Sequence, residues 1–183
     1  AHGGAGTPDM LLSTTDGLGA TTTYQYRPLT DKTIYTKGTG SVYPQRDLQL
    51  PIHVVSRSCK SDGIGGDACT DYQYWGARLD LEGRGFLGFN QIKATDVQAG
   101  RYTMSTFSQT FPFIGRPTST QTYVGTEVVK RIDIGYIQGT SFESRKFPIT
   151  YSVVELNKGL DGNWTSVSTA SGFDSYGNRT QIN

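Results

Sequence analysis

A histidine base is the first requirement of a Ser-His-Asp or Cys-His catalytic arrangement, and this sequence has two histidines. His2 lies in a glycine-rich terminal stretch, which leaves His53 as the candidate base. His53 occupies an alternate position of an apolar run, which favours a structural or solvent-facing histidine on a strand. The nucleophile motif Gly-x-Ser-x-Gly is absent from the sequence. Together with Cys59 and Cys69, His53 makes three ligands where a structural zinc site takes four, so neither a metal nor another cofactor is expected.

Paired carboxylates are the second chemistry to consider, because a small β protein rich in Tyr, Thr and Gly resembles a jelly-roll glycoside hydrolase in composition. Such an enzyme places two carboxyl groups across a cleft and raises the pKa of one of them. The glutamates are Glu82, Glu127, Glu143 and Glu155. Glu82 lies in a glycine-rich turn and Glu127 lies beside another turn, and both are solvent positions by default. The sequence therefore favours a protein that is not an enzyme.

Exposed aromatic side chains provide a third chemistry, the stacking of sugar rings. Trp75, Trp164 and the pair Tyr24 and Tyr26 are the candidates. They would make the chain a free-standing secreted module that binds a carbohydrate or a cell surface. Trp75 also ends an alternating run, which is equally typical of a core residue.

A glycine-rich block spells the pattern G-x-G-x-x-G, which binds phosphates when it opens a helix in a βαβ unit. The block consists of Gly83, Arg84, Gly85, Phe86, Leu87 and Gly88. No helical pattern follows it here. Its glycines are better explained by a β-bulge or by a close approach of two backbones.

Length and charge limit the remaining classes of function. The chain has 183 residues, 17 Lys and Arg against 16 Asp and Glu, and 18% charged residues. A balanced charge gives no reason to expect a nucleic-acid partner. The apolar runs are a few residues long, so no transmembrane segment is expected. Because the chain begins with Ala rather than Met, we expect a processed or excised piece of a longer protein.

The elements that would position these side chains are strands. Alternating segments rich in Thr, Tyr, Val and Ile occupy residues 21–26, 52–58, 70–75, 121–124, 128–137, 149–154 and 164–169. Turn residues such as Asp-Gly and Gly-Gly separate them. This pattern predicts an all-β fold of sequential antiparallel hairpins in one domain spanning 1–183. Two arrangements remain open, a curved sheet that forms a segment of a β-shell and a compact β-sandwich.

One hairpin is specific enough to predict its register. If the strands around residues 62–66 pair symmetrically about Ile64, Cys59 faces Cys69 directly. Directly opposed residues have Cβ atoms about 4.5–5.5 Å apart, and a disulfide needs about 3.5–4.5 Å. We therefore expect a Cys59–Cys69 disulfide, which favours an oxidising compartment. The alternative is two buried thiols that lie close together.

Several segments, in order along nearly the whole chain, carry a family resemblance. They are PDMLL at 8–12, DGLGATTT at 16–23, YRPLTD at 26–31, IYTKG at 34–38, YQYWGARLD at 72–80, GRGFLGF at 83–89, FPFIGRP at 111–117 and FDSYGN at 173–178. Together they resemble the Tc-toxin B subunits and SpvB-like proteins, whose later half is built of RHS (YD) repeats. The block that ends at Phe89 is the most specific match. In the last segment, Asp174, Gly177 and Asn178 are similar to the repeat signature that closes each hairpin turn.

This resemblance implies a structural role rather than a catalytic one. In that family, the region follows a β-propeller and begins a hollow β-shell that encloses a toxic cargo. The chain would then be a virulence-related segment of a bacterial toxin-delivery protein, secreted or on the cell surface. Its partners would be neighbouring segments of the same shell and other toxin subunits, with a glycan as a further ligand under the alternative above. The family usually has Ser or Thr at the positions of Cys59 and Cys69, so this chain departs from it there.

Overall fold

The structure, a computed structural model, describes residues 10–140, 146–174 and 176–182. Every regular element of these residues is a β-strand. The strands are β1 (Ser13–Thr15), β2 (Thr21–Pro28), β3 (Tyr35–Thr36), β4 (Gln45–Asp47), β5 (His53–Ser61), β6 (Asp67–Trp75), β7 (Arg78–Asp80), β8 (Gly85–Gly88), β9 (Gln91–Asp96), β10 (Arg101–Phe107), β11 (Pro117–Val124), β12 (Glu127–Thr140), β13 (Lys146–Lys158), β14 (Trp164–Phe173) and β15 (Arg179–Ile182). Each alternating segment of the sequence lies in one of the longer strands, except that Ile52 precedes β5 by one residue.

Twelve strands form one sheet in nearly the order of the chain, namely β1-β2-β5-β6-β9-β10-β11-β12-β13-β14-β15, with β3 also pairing with β6. All pairs are antiparallel except β3–β6, where Tyr35 lies opposite Tyr74. Within the described residues, β1 and β15 do not pair with each other, so the sheet stays open. The predicted all-β fold of sequential antiparallel hairpins is confirmed.

A second sheet, β4-β7-β8, has three short strands. Near it lies the apolar core, formed by Leu29, Ile34, Tyr35, Leu48, Tyr74 and Ala77. Tyr35 anchors this core, because its hydroxyl donates to the Leu48 carbonyl at 2.6 Å and accepts from the Ala77 amide at 3.2 Å. Burial of a Leu side chain such as Leu29 contributes roughly 1.5–3 kcal/mol to the free energy of unfolding. The core therefore belongs to the first half of the chain.

The second half of the sheet has a different character. Among the described residues of β10 to β15, Ile149 alone is buried. Several apolar side chains there are exposed, including Ile137, Tyr151, Trp164 and Val167. This part of the sheet consequently has no covering layer of its own within the described residues.

Candidate functional site

The candidate base and acids do not assemble into a catalytic group among the described residues. His53 is exposed at the start of β5, opposite Pro28. Glu82 accepts a hydrogen bond from the Tyr43 hydroxyl at 3.0 Å, and Glu127 forms an ion pair with Lys158. His2 and Glu143 lie outside the described residues.

Glu155 has a clear electrostatic role. Lys130 donates to its Oε1 at 2.7 Å, and the Asn157 side-chain amide donates to the same atom at 3.0 Å. The hydrogen bond from Lys130 lowers the pKa of the Glu155 carboxyl, and the Asn157 contact acts in the same direction. The general acid of a glycosidase needs a raised pKa, whereas the pKa of Glu155 is lowered. Its carboxylate therefore suits the ion pair with Lys130.

The two cysteines form a disulfide, with Cα atoms 4.1 Å apart. The register around them is symmetric about Ile64, with Cys59 opposite Cys69 and Arg57 opposite Asp71. Cys59 also lies opposite Thr23 of β2, so the bond joins strands inside the sheet. In the described part of the chain, no group of three or more His, Cys, Asp or Glu side chains could hold a metal ion.

The glycine-rich block forms the turn between β7 and β8 and all of β8. Gly83, Gly85 and Gly88 have φ values of +108°, +70° and +84°, a region that other residues rarely adopt. The register shifts so that Arg78 pairs with Gly88 and Leu79 with Phe86, which leaves Leu87 as the extra residue of a bulge.

The bulge turns Leu87 inward, where it is 1% exposed. The next residue but one, Phe89, places its ring 4.7 Å from that of Tyr74 and 6.4 Å from that of Tyr35. On the other side of the block, the Arg84 guanidinium lies 4.6 Å from the centre of the Phe111 ring. The block thus joins the small sheet to the core by packing.

Gln109 has a structural role that the sequence pattern does not predict. It is buried, and its Nε2 donates to the carbonyls of Gly76 and Gly88 at 2.7 and 2.8 Å. These bonds satisfy two backbone acceptors beside the glycine-rich block. Gln109 lies in a loop without any periodic pattern that would predict burial.

Asp174, Gly177 and Asn178 lie in the hairpin turn between β14 and β15. The Asp174 Oδ1 atom accepts from the amides of Tyr176 and Asn178, each at 2.9 Å, and its Oδ2 accepts from the Asn178 side chain at 3.0 Å. The Asn178 side-chain bond, followed by the backbone bonds, lowers the pKa of Asp174. Ser175 lies outside the described residues.

The same use of an aspartate recurs in other hairpin turns, although the sequence pattern did not predict it. Asp16 accepts from the amides of Leu18 and Ala20, and Asp62 accepts from those of Ile64 and Gly66. The backbone bonds from Ile64 and Gly66 lower the pKa of Asp62. One spacing, Asp with a Gly three residues later, therefore closes three hairpins of the main sheet.

The two tryptophans occupy different environments. Trp75 ends β6 and is half-buried, whereas Trp164 begins β14 and is 45% exposed. Trp164 lines a groove of about 380 Å³ with Gln121, Val128, Arg131 and Leu156. Of the two predicted stacking residues, Trp164 thus has the open aromatic face.

An aromatic pair lies beside that groove. The rings of Tyr102 and Tyr123 stack at 4.6 Å with an interplanar angle of 9°, and the Lys93 amine lies 4.1 Å from the centre of the Tyr102 ring. The Tyr123 hydroxyl donates to Gln121 Oε1 at 2.5 Å. Arg131 donates to Asp133 at 2.7 Å.

Residues 3–115 match the family described as the Insecticide toxin TcdB middle/N-terminal region, which is more than half of the chain. The chain belongs to this TcdB family. No curated protein matches the chain significantly.

The TcdB match contains β1 to β10, and with them the disulfide, the glycine-rich block and the core. Strands β11 to β15 lie beyond it, together with the Trp164 groove and the Asp174 turn. The family match therefore covers the half of the sheet that carries the small second sheet. No described segment forms a helix long and apolar enough to cross a membrane.

Proposed function

We propose that this chain is a non-catalytic structural segment of a secreted toxin-delivery protein of the RHS (YD) type. In this proposal the 183 residues form one domain of a longer protein related to the SpvB-like proteins. Its sheet continues into neighbouring segments, and together they build a β-shell around a toxic cargo. Other toxin subunits are its further partners.

The observation that carries this proposal is the open sheet of twelve strands. Its terminal strands, β1 and β15, each pair on one side among the described residues. Unpaired strand edges are templates for further strands, and a shell grows by such additions. Leu11, Leu12 and Ile182 are exposed apolar residues at or beside these edges.

Exposed apolar side chains of β13 and β14 support the same role. A free-standing domain of this length buries a layer on at least one face of its sheet. Here the apolar core lies in the first half of the chain, and Val167 and Tyr151 are exposed in the second. Further parts of the shell or its cargo would cover them.

Three local features support the finer points of the proposal. The turn that Asp174 closes onto Asn178 resembles the turn of an RHS repeat. The Cys59–Cys69 disulfide suits an exported protein. The ion pairs of Glu127 and Glu155 suit a structural sheet rather than a hydrolytic cleft.

The size of the native product tests the proposal. An antibody raised to this chain should detect, in the source culture, a single band several times larger than 20.0 kDa, with reductant present. Cells and medium are blotted separately, and the medium should contain the product. A band at 20.0 kDa in the medium would overturn the proposal.

Protease protection then tests the shell itself. In the large product, the cargo should survive a protease that digests it after denaturation. Ile149→Asp places a charge at the buried position of β13, and it should expose the cargo. Leu160→Asp makes a similar change in the exposed turn after β13 and should leave the cargo protected. If the protease digests the cargo of the unmodified product as fast before denaturation as after it, the cargo is not enclosed.

A further inference from the structure

The groove around Trp164 crosses four strands on one face of the sheet. Gln121 on β11 lies opposite Arg131 on β12, Arg131 lies opposite Leu156 on β13, and Leu156 lies opposite Ser166 on β14. Trp164 is two residues from Ser166 and therefore points to the same face. Because neighbouring strands are about 4.8 Å apart, the row spans about 14 Å. That length suits an extended oligomer better than a single small molecule.

The row has an aromatic face at one end and hydrogen-bond donors along the rest of it. Trp164 provides an exposed indole face that a flat apolar surface can stack on. Gln121 Oε1 already accepts from Tyr123, so the Gln121 amide nitrogen is directed to act as a donor. Arg131 uses Nε for Asp133, and no described residue accepts from its two Nη groups. The groove thus combines one stacking face with several unused donors.

The charges at the groove cancel. Arg131 is paired with Asp133, and Lys158, which lies opposite Trp164, is paired with Glu127. An anionic ligand would have to compete with two carboxylates that already hold these cations. An uncharged ligand rich in acceptor oxygens meets no such competition.

The stacked tyrosines extend the same face toward β9. Tyr123 is two residues from Gln121 on β11, and Tyr102 lies opposite Tyr123 on β10. Their rings lie against each other and are half-buried, so they hold the Gln121 side chain in place rather than offer a second stacking face. Gln121 is therefore oriented before any ligand arrives.

We propose that the groove of Gln121, Arg131, Leu156 and Trp164 binds a neutral oligosaccharide of pyranose rings with equatorial substituents, such as β-1,4-linked glucose or N-acetylglucosamine. The apolar face of one ring stacks on Trp164. Hydroxyl or acetamido oxygens of the following rings accept from Arg131 and Gln121. This site goes beyond the structural role proposed above and does not depend on it.

The two indole N–H signals of the chain allow a direct test by NMR of the ¹⁵N-labelled 183-residue protein. Cellohexaose and chitohexaose are titrated separately. The Trp164 signal should shift with at least one of them, saturating with a dissociation constant on the order of 1 mM, while the Trp75 signal stays in place. No shift of the Trp164 signal with either hexasaccharide overturns the proposal.

Four variants and one anionic sugar make the test specific. Trp164→Ala should weaken binding roughly tenfold or more, and Trp164→Phe should keep part of it, because an aromatic face remains. Arg131→Met removes donors at similar length and should also weaken binding. Tyr151→Ala, at a side chain that is likewise 45% exposed but lies outside the groove, should bind as the parent does. Unchanged affinity in Trp164→Ala, or tighter binding of sialyllactose, would overturn the proposal, and backbone amide signals report whether each variant is folded.

Discussion

A Cβ atom on Gly177 would lie 2.7 Å from Cε2 of the Phe147 ring, closer than real Cβ atoms approach. The same ring lies 2.6 Å from the position of a Cβ on Gly139, its cross-strand neighbour on β12. Phe147 is therefore confined between two glycines that come from different hairpins. The contact couples the turn after β14 to the ribbon formed by β12 and β13.

Gly177→Ala should destabilise the chain more than Gly19→Ala. Both glycines have φ of +85°, so both substitutions add backbone strain of roughly 1–2 kcal/mol. Gly19 has nothing within 4 Å of its added Cβ, whereas Gly177 has the Phe147 ring. Urea denaturation of the two variants measures the difference. If Phe147→Ala removes that difference, the ring contact is its cause, and equal losses in the two variants would contradict the coupling.

Reduction of the Cys59–Cys69 disulfide should lower the free energy of unfolding by about 3 kcal/mol, as loop-closure entropy predicts for a sequence separation of 10 residues. Urea denaturation with and without a reductant provides the measurement. A variant with Cys59→Ser and Cys69→Ser is the control, because its stability should not respond to reductant. The same midpoint for the oxidised and reduced parent would show that the bond constrains little of the unfolded chain.

The Tyr74 phenol should ionise later than an ordinary tyrosine. Burial raises its pKa from 10.0 to about 12, and its hydroxyl donates to the Val55 carbonyl at 2.6 Å. The folded pKa lies above the unfolded one. The protonated Tyr74 phenol therefore makes its full contribution to the free energy of unfolding below pH 10, and that contribution is lost as the pH rises through about 12. The tyrosinate absorbance of the parent, minus that of Tyr74→Phe, should titrate near pH 12. A difference that titrates near pH 10 would mean that Tyr74 is open to solvent.

The isolated chain should self-associate through its last strand. Ile182 is 63% exposed on β15, and Ile182→Lys should reduce the apparent mass in light scattering at high concentration, since an edge lysine opposes strand addition. Val167→Lys, at a side chain that is 65% exposed on β14, removes similar apolar area between two paired strands. It should leave association largely unchanged. A strict monomer at every concentration would contradict this prediction.

The parts of the fold that the sequence predicts are those governed by local spacing. The register of β5 and β6 follows from a turn centred on Ile64, because an antiparallel hairpin fixes every pair once one pair is known. The longer strands show alternation over enough residues to be recognised. Strands β3, β4, β7 and β8 have two to four residues, which is too few for a periodic pattern. The parallel pairing of Tyr35 with Tyr74 depends on packing between distant segments, so no local signal predicts it.

The sequence does not predict the candidate binding groove, for a related reason. Trp164 was a candidate from its residue type alone, but its neighbours Gln121 and Arg131 come from other hairpins. Register shifts near Thr122 and Gly135 change which residues share a face. Since a shift of one residue moves side chains to the opposite face, alternation read from the sequence loses the correct face after each bulge.

The nearly sequential order of the main sheet has a consequence for how the chain folds. Most strands pair with the strand just before them, so most new pairings close a short loop and cost little chain entropy. The sheet can therefore grow strand by strand as the chain leaves the ribosome, starting near the core around Tyr74. At each stage the newest strand is an open edge, and correct folding then competes with aggregation at that edge rather than across the whole molecule.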